Sequence, residues 1–565
     1  MTFSGSKFRS FLPAATFAMV VEFLMGLSDS VICGHIVGED GLAAVNLMQS
    51  VFNAVTFFAL LVTIGTGVLF ARECGAFRGD RAKGVFTLGF ATSLAVGVAL
   101  AVLALAVRVP YLSSFGVADG VYRCVDSYYR WFLSGILLQP VTYFLGSMCY
   151  VDGDVRTALW SYVVQLVVNC AASVPLTFAM GTGGSALGTS IGCLAALGVL
   201  ALHFRKEGCQ LGFSRAFALR DVLDICRTSF GDASKSICYA VLYFILNAYV
   251  VAHFGSDRLP VLAVVLMTLG ISEAFDGVGN AMQPLVGVYV GEGNDVRTRS
   301  VMSMALKVAL AEGGLVALVL LAFPSVMVRL VGIGDPSLVP VAETAVRLVS
   351  CGLVGSAVVL LFNSYYIFVG HEILSAAMTV ASVFLAPLAL FPLFGCRWGE
   401  NGVWTALGLA PVAAVLLTAL FVVVRWGVRR FPLLLDAGRA ANIVVYDLPL
   451  EPGRICSVSV EVNAELKRRC VDSNRAARAA LLVEETLMVV HDRNAGRRVI
   501  AEVTIDLNAD PFSLVLRDDG VIFDITDADQ SISSLRSYLV SNLMVNLPNR
   551  RNLTTTGFNR NVFKL

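Results

Sequence analysis

The residue best placed to do chemistry in this sequence is Asp29, a carboxylate in the stretch MGLSDSVICG inside an otherwise apolar run. Ionisable groups at membrane depth are expensive, so by default they mark a pathway or a coupling site. Glu22 lies seven residues earlier. Seven residues make nearly two helical turns, which puts both carboxylates on one face, about 10 Å apart along the axis. Glu273 and Asp276, three residues apart, form a second acidic pair, and Glu312 stands alone in a later run, where pairing or an interfacial position is the plainer reading. Polar amides accompany these acids. Asn46, Gln49 and Asn53 keep near one helix face, Gln165 and Asn169 are four apart, and Asn247, Asn280 and Gln283 lie in the second half. Singly, such amides bond neighbouring helices. As a set near Asp29 they could line a substrate cavity, ligate a small cation or position a water. A carboxylate in a low-dielectric cavity can exchange a proton near neutral pH, or be neutralised by a cation with oxygen ligands. Either event removes a buried charge and lets the first helix repack. A cationic or amphipathic cargo would compete for the same acidic cavity, which is antiport without a covalent step, and no catalytic residue is expected.

These side chains need membrane-spanning elements to hold them, and the composition supplies them. The chain has 565 residues, 57% hydrophobic and only 15% charged, with a mean hydropathy of +0.75. A soluble chain carries about 25% charged residues. The first 435 positions hold 24 acidic and 26 basic residues, about half the soluble density; the last 130 hold 17 and 16, the ordinary density. This reads as a large membrane domain followed by a small soluble one. It excludes a disordered chain and a secreted disulfide scaffold, and the net charge of +1 excludes a nucleic-acid partner gripped by bulk charge. Thirteen cysteines lie scattered without a C-x-x-C pair or zinc spacing, so no metal site is expected. A P-loop is absent from the sequence, which disfavours an ATP-driven pump.

Runs long enough to span a bilayer recur at about 12–37, 43–71, 85–107, 127–149, 157–180 and 184–203, then at about 236–254, 260–290, 306–330, 346–369, 374–394 and 403–424. The first is read as a transmembrane helix rather than a signal peptide, since it holds Glu22 and Asp29 and lacks a small-residue cleavage site. Twelve spans put both ends on one side. The loops on that side hold nineteen Lys and Arg against seven opposite, so both termini are expected in the cytoplasm. The expected division is a six-helix lobe over 1–204, a connector over 205–235, a second six-helix lobe over 236–430 and a soluble domain over 440–565. Gly-bearing turns recur at matching places in the halves: ARECGAFRGDRAKG with GVYVGEGNDVRTRS, YVDGDVRTALW with FVGHEILSAAM, and GTGGSALGTS with RWGENGVWTAL. Repeated halves are a transporter design with the cargo path between them.

Residues 8–425 resemble the multidrug and toxin extrusion (MATE) family in its bacterial branches. The resemblance rests on LSDSVICGHIVGEDGLAAVNL, TIGTGVLFARECGAFRGDRAKG, AMQPLVGVYVGEGND and WGENGVW. It implies H+- or Na+-coupled export of organic, often cationic compounds by two six-helix lobes in a bacterial inner membrane, with no cofactor required. The family's first-helix acid falls on Asp29. The Asn of its fifth-span Asn-x-x-x-Asp pattern falls on Asn169, while the acidic position is Ser173 here. Glu22 is a candidate compensating acid. The alternatives left open are a flippase for lipid-linked precursors, which would be expected to need several Arg in its cavity, and a membrane-tethered signalling ATPase.

After Arg430 the pattern changes to alternating strands in ANIVVYDLPL, VIAEVTIDL, PFSLVLRDDG and NVFKL, with helices over 453–470 and 473–492, enough for one small α/β sandwich. Residues 440–565 resemble the histidine-kinase-like ATPase fold of the anti-sigma-factor type. By that resemblance Glu485 in LLVEETLMVVHDRN is the magnesium carboxylate, Asp518 in RDDGVIFD takes the adenine amino group, and Gly520 lets the backbone approach the base. The amide position is Val489, and the lid stretch SSLRSYLVSNLMVNLPNRRN has no glycine. The expectation is therefore a degenerate domain used for regulation or for contact with a cytoplasmic protein, with ATP and Mg binding as its alternative and no hydrolysis.

Overall fold

The computed structural model describes residues 2–113, 119–255, 258–331, 337–435, 437–521, 551–554 and 558–565; the side chains of Glu22, Asn46, Gln49 and Asn247 are among those outside the described part. The first lobe is built from α1 (Phe3–Ile36), α2 (Glu39–Gly75), α3 (Gly79–Ser113), α4 (Asp119–Val151), α5 (Val155–Met180) and α6 (Thr182–Ala201). The second is built from α7 (Asp221–Phe254), α8 (Leu259–Gly270), α9 (Asp276–Glu292), α10 (Asp295–Ala322), α11 (Ser325–Val331), α12 (Val339–Ser350), α13 (Leu353–Val369), α14 (Glu372–Val380) and α15 (Ala386–Trp426). Near-continuous apolar sequence becomes helix because lipid offers no partner to a backbone amide. Two of the starts are fixed by local caps of one design: the Asp154 side chain accepts from Thr157 N–H before α5, and Asn294 accepts from Arg297 N–H before α10.

Eight helical stretches among the described residues are long and apolar enough to cross a membrane, or nine if α12 and α13, bent by 41°, count as one span. The sequence reading had twelve. The differences lie in α7, in α8 and α9, which a 3-10 turn at Ile271–Phe275 separates, and in Glu372–Trp426, which runs as one 55-residue stretch although Gly399 inside it is not helical. The connector expected over 205–235 is shorter. Helix α7 begins at Asp221, so Lys235 sits well inside a helix rather than in a polar loop.

The C-terminal domain holds α16 (Ala437–Ala440), β1 (Ile443–Pro449), α17 (Pro452–Arg468), α18 (Ser473–Arg493), β2 (Ile500–Asp506), β3 (Ser513–Asp518), β4 (Arg551–Thr554) and β5 (Asn559–Lys564). Its five strands form one sheet in the order β1-β2-β3-β5-β4, with every neighbouring pair antiparallel. Strand β4 had no counterpart in the sequence reading. Val458, Val462, Leu482 and Val483 from the helices pack on Val503, Ile505, Leu514 and Leu516 from the sheet, so one sheet face is an apolar core. Asp472 caps α18 by accepting from Asn474 and Arg475 N–H.

Candidate functional site

Asp29 lies in the second half of α1, about 39 Å along the helix from Phe3. Three hydroxyls from two other helices converge on its carboxylate. Tyr128 of α4 donates to Oδ2 at 2.7 Å, Ser185 of α6 to Oδ1 at 2.9 Å, and Thr189 of α6 to Oδ2 at 3.0 Å. Among the described residues no Lys, Arg or His forms an ion pair with it. The shell continues into α5: Ser173 donates to Asn169 Oδ1 at 2.7 Å, and Asn169 Nδ2 reaches Ser28 Oγ at 3.4 Å. Helices α5 and α6 come this close because Gly188 has no side chain; a Cβ there would lie 2.0 Å from Ser173 Oγ. Asn169 and Ser173 are buried at 1% and 0% exposure.

The arrangement has a specific capacity. An ionised carboxylate can only accept, and its hydroxyl neighbours all donate to it. When the carboxyl takes a proton, one hydroxyl must turn and accept, and the chain through Thr189, Asn169 and Ser173 can follow. The same oxygens form a hard donor set of the kind that suits a small cation. The sequence located Asp29 and Asn169. It missed Tyr128, Ser185 and Thr189, which carry no charge; their only signal is a polar residue within an apolar run. Ser173, where the resembled family has an acid, supplies a hydroxyl to the network.

The other expected residues spread more widely. Gln165 is buried and its amide faces Cys193 Sγ at 3.4 Å. Asn53 is half-buried in α2. Asn280 Nδ2 meets Met19 Sδ at 3.4 Å and accepts from Gln283 Nε2 at 3.0 Å, so these amides pack α9 against α1. Glu273 lies in the 3-10 turn and is exposed, and Asp276 pairs with Lys235 Nζ at 3.5 Å. Glu273 and Asp276 therefore do not join Asp29 in one site. Lys235, expected in the connector, lies inside α7 and borders a cavity of about 50 Å³ with Tyr239, Asn363, Thr379 and Ser382. Glu312 Oε2 in α10 is buried and hydrogen-bonds to nothing among the described residues.

A second charged centre was not foreseen. Between α4 and α5, Asp152 and Asp154 hold His203 from both sides, at 2.8 Å to Nε2 and 2.7 Å to Nδ1, and Lys206 Nζ reaches Asp154 at 2.8 Å. Burial pushes the Asp154 carboxyl up, but the bonds from His203, Lys206 and Thr157 outweigh it and hold it below the usual carboxylate range. For Asp152 burial wins and the carboxyl is raised. Asp152, His203 and Cys209 bring ligand-capable atoms within 4.8 Å of one another, a cluster the cysteine spacing does not reveal. Both imidazole nitrogens are already bonded to carboxylates, so the geometry is that of an ion-paired clamp on the α4–α5 turn.

In the C-terminal domain, Asp518 is 2% exposed, and its Oδ1 accepts from Asn559 Nδ2 at 2.9 Å and from Gly520 N–H at 3.0 Å. The Asn494 side chain occupies the space beside Gly520, 2.5 Å from where a Cβ would stand. Glu485 Oε2 is buried and unbonded among the described residues. Most of the glycine-free lid stretch falls within 522–550, outside the described residues.

Comparison with known proteins places the membrane domain. The MatE family model matches residues 14–174 and 233–392, more than half of the chain. The probable multidrug resistance protein NorM of Burkholderia mallei is 27% identical over 430 residues, covering 71% of this chain and 88% of that protein. Protein DETOXIFICATION 17 of Arabidopsis thaliana is 23% identical over 430 residues, covering 71% and 86%. The fold is similar to a multidrug resistance MATE transporter solved in its outward-facing conformation, with TM-score 0.69 at 19% identity over 74% of this chain and 95% of that one. It is equally similar to a transporter from Pyrococcus furiosus described as having a binding pocket of reversed polarity, with TM-score 0.70 at 19% identity over 77% and 97%. The chain is a multi-pass membrane protein belonging to the MatE family of multidrug efflux transporters.

Proposed function

We propose that this protein is a cation-coupled antiporter, driven by H+ or Na+, that exports organic compounds of cationic or amphipathic character. One observation carries the reading: Asp29 stands inside the first lobe among three hydroxyl donors, with no ion-pair partner among the described residues. A carboxylate meant only to hold helices together would be matched to a base, as Asp276 is to Lys235. An unmatched one can trade a mobile cation. Twelve spans fit this reading if α7 and the broken α8–α9 each cross, α12–α13 counts as one, and Glu372–Trp426 counts as two. The Lys and Arg asymmetry then puts both termini and the C-terminal domain in the cytoplasm. The C-terminal domain is regulatory in this reading, since Asp518 has committed its acceptor oxygen inside the domain.

Flux of a cationic dye in proteoliposomes, with proton and sodium gradients imposed separately, tests the proposal. One gradient should drive dye across the bilayer, and Asp29→Asn should abolish that flux while the protein still inserts. Undiminished flux in Asp29→Asn would sink the mechanism. Nucleotide binding by the full chain with no gradient-driven flux would instead favour a tethered signalling ATPase.

A further inference from the structure

The C-terminal domain turns its second sheet face toward the membrane domain, and pleating decides what that face carries. Ala501, Val503, Leu514 and Leu516 point into the domain's own core, so their neighbours Glu502 and Arg517 point the other way. In the strand register Asp447, Glu502, Arg517 and Arg560 are successive partners from β1 through β2 and β3 to β5. They make one row, two acids followed by two bases. The α9–α10 turn of the second lobe presents the complement. Arg297 pairs with Glu502 at 2.6 Å and with Asp447, Glu292 pairs with Arg560 at 3.1 Å and with Arg517, and the Tyr289 hydroxyl donates to Glu502 at 3.2 Å. Glu502, Arg517 and Arg560 are each 0% exposed.

The same row grips the first lobe. Arg560 donates to the Cys74 carbonyl at the end of α2 at 2.6 Å and lies 4.2 Å over the Phe77 ring. Phe3 N–H donates to Asp447 at 2.8 Å, and Lys7 reaches Asp519 at 3.8 Å. Arg560 thus touches both lobes, through Glu292 and Cys74. At this place the lobes meet backbone to backbone: a Cβ on Gly75 would lie 2.6 Å from Gly291 Cα, and the reverse holds. Close by, Arg72 of α2 donates to the Phe368 carbonyl at 3.2 Å and pairs with Glu372 of the second lobe.

We propose that the C-terminal domain is a latch on the cytoplasmic mouth: docked as described, it holds the two lobes together, and it must lift before that mouth opens to load cargo. The proposal rests on the transporter reading above, which puts this end in the cytoplasm. Parting the lobes beneath a docked domain would pull Arg560 off either Glu292 or Cys74 and strand a buried charge. Lifting the whole domain instead returns both signs to water together. Buried ion pairs roughly break even against apolar packing but fix register strictly, which suits a contact that must open and reclose in one place.

The test uses spin labels on the full-length chain in nanodiscs, in a background without native cysteines. One label pair replaces Asp80 and Arg299, exposed residues of the first and second lobes, and a second pair replaces Arg9 and Val521, one in the membrane domain and one in the C-terminal domain. In the parent both pairs should give single short distances. Glu292→Ala with Arg297→Ala removes the transporter half of the row and leaves the Glu502–Arg517 pair inside the sheet. It should add longer distances in both pairs, with the open population raised about tenfold or more. A domain that leaves without any lengthening between the lobes overturns the latch, and so does a domain that stays docked. Dye flux is measured on the same samples. Lengthening without gradient-driven flux keeps the latch and sinks the export reading; flux with unchanged distances does the reverse.

Discussion

The backbone N–H of Phe3, the first residue of α1, donates at 2.8 Å to the carboxylate of Asp447, which lies 444 residues away in β1. The helix that carries Asp29 therefore begins against the C-terminal domain. A helix N-terminus exposes unbonded N–H groups and the positive end of its dipole, and a carboxylate answers both. Asp447 also pairs with Arg297 of α10. Asp447→Ala should lower the thermal midpoint of the whole chain in detergent, at a cost of about 1–3 kcal/mol. Asp447→Asn, which keeps an acceptor for Phe3, should cost less. Equal midpoints for the two variants would show that the contact with Phe3 contributes nothing.

Around Asp29 the hydroxyl donors should matter separately from the acid. Tyr128→Phe keeps the ring packed and removes only the 2.7 Å bond to Asp29. Gradient-driven flux should fall by roughly tenfold, the factor of one charge-assisted hydrogen bond. Ser173→Ala, one step removed from the carboxylate, should cost less. If Ser173→Ala proves the worse of the two, the network runs through α5 rather than α4.

Asp29 was legible because a charge in a run of Leu, Val and Ala stands out, and Thr189 joins it to Asn169 around one centre. Tyr128, Ser185 and Thr189 were not legible, since a hydroxyl in an apolar run is common and its direction depends on how α4 and α6 cross. Lys235 was misplaced because the polar stretch 205–233 reads as a loop, whereas α7 starts within it and carries its charges on a helical face. In the C-terminal domain the alternating strands predicted β1, β2, β3 and β5 closely. The row Asp447–Glu502–Arg517–Arg560 was hidden, because it exists only once the strands take their register. Local pattern gives elements, and pairing over long sequence distances builds the sites.

His203 should prove structural. It is 0% exposed between Asp152 and Asp154, which are 2% and 6% exposed. One carboxylate oxygen stands at each ring nitrogen, 2.7 Å from Nδ1 and 2.8 Å from Nε2, so both ring nitrogens are held by an acid. His203→Ala leaves Asp152 without a cationic partner and Asp154 with Lys206 alone, and should destabilise the chain by about 3 kcal/mol in a detergent melt. Asp152→Asn with Asp154→Asn in that background should recover part of the loss, because the buried charges are gone. A loss no larger than that of an exposed histidine such as His35 would refute the clamp.

Asp518 gives the C-terminal domain a pH signature whose sign is fixed. Burial lifts its carboxyl from 3.8 to about 6, against the opposing bonds from Asn559 and Gly520 N–H. A carboxyl raised in the folded state binds a proton more tightly folded than unfolded. The stability it contributes is present below about pH 4 and is lost as pH rises through about 6. At pH 7.5 the domain therefore carries a buried carboxylate at a cost on the order of 3 kcal/mol. Asp518→Asn keeps an oxygen for Asn559 Nδ2 and Gly520 N–H and removes the charge. Limited proteolysis of the full chain in urea should find the variant domain more resistant than the parent at pH 7.5 and equal to it near pH 4. The same protein answers the nucleotide question: if ATP with magnesium protects the parent domain at pH 7.5 and fails to protect Asp518→Asn, that carboxylate is held for adenine, and the cost it imposes on folding is the cost of a working site.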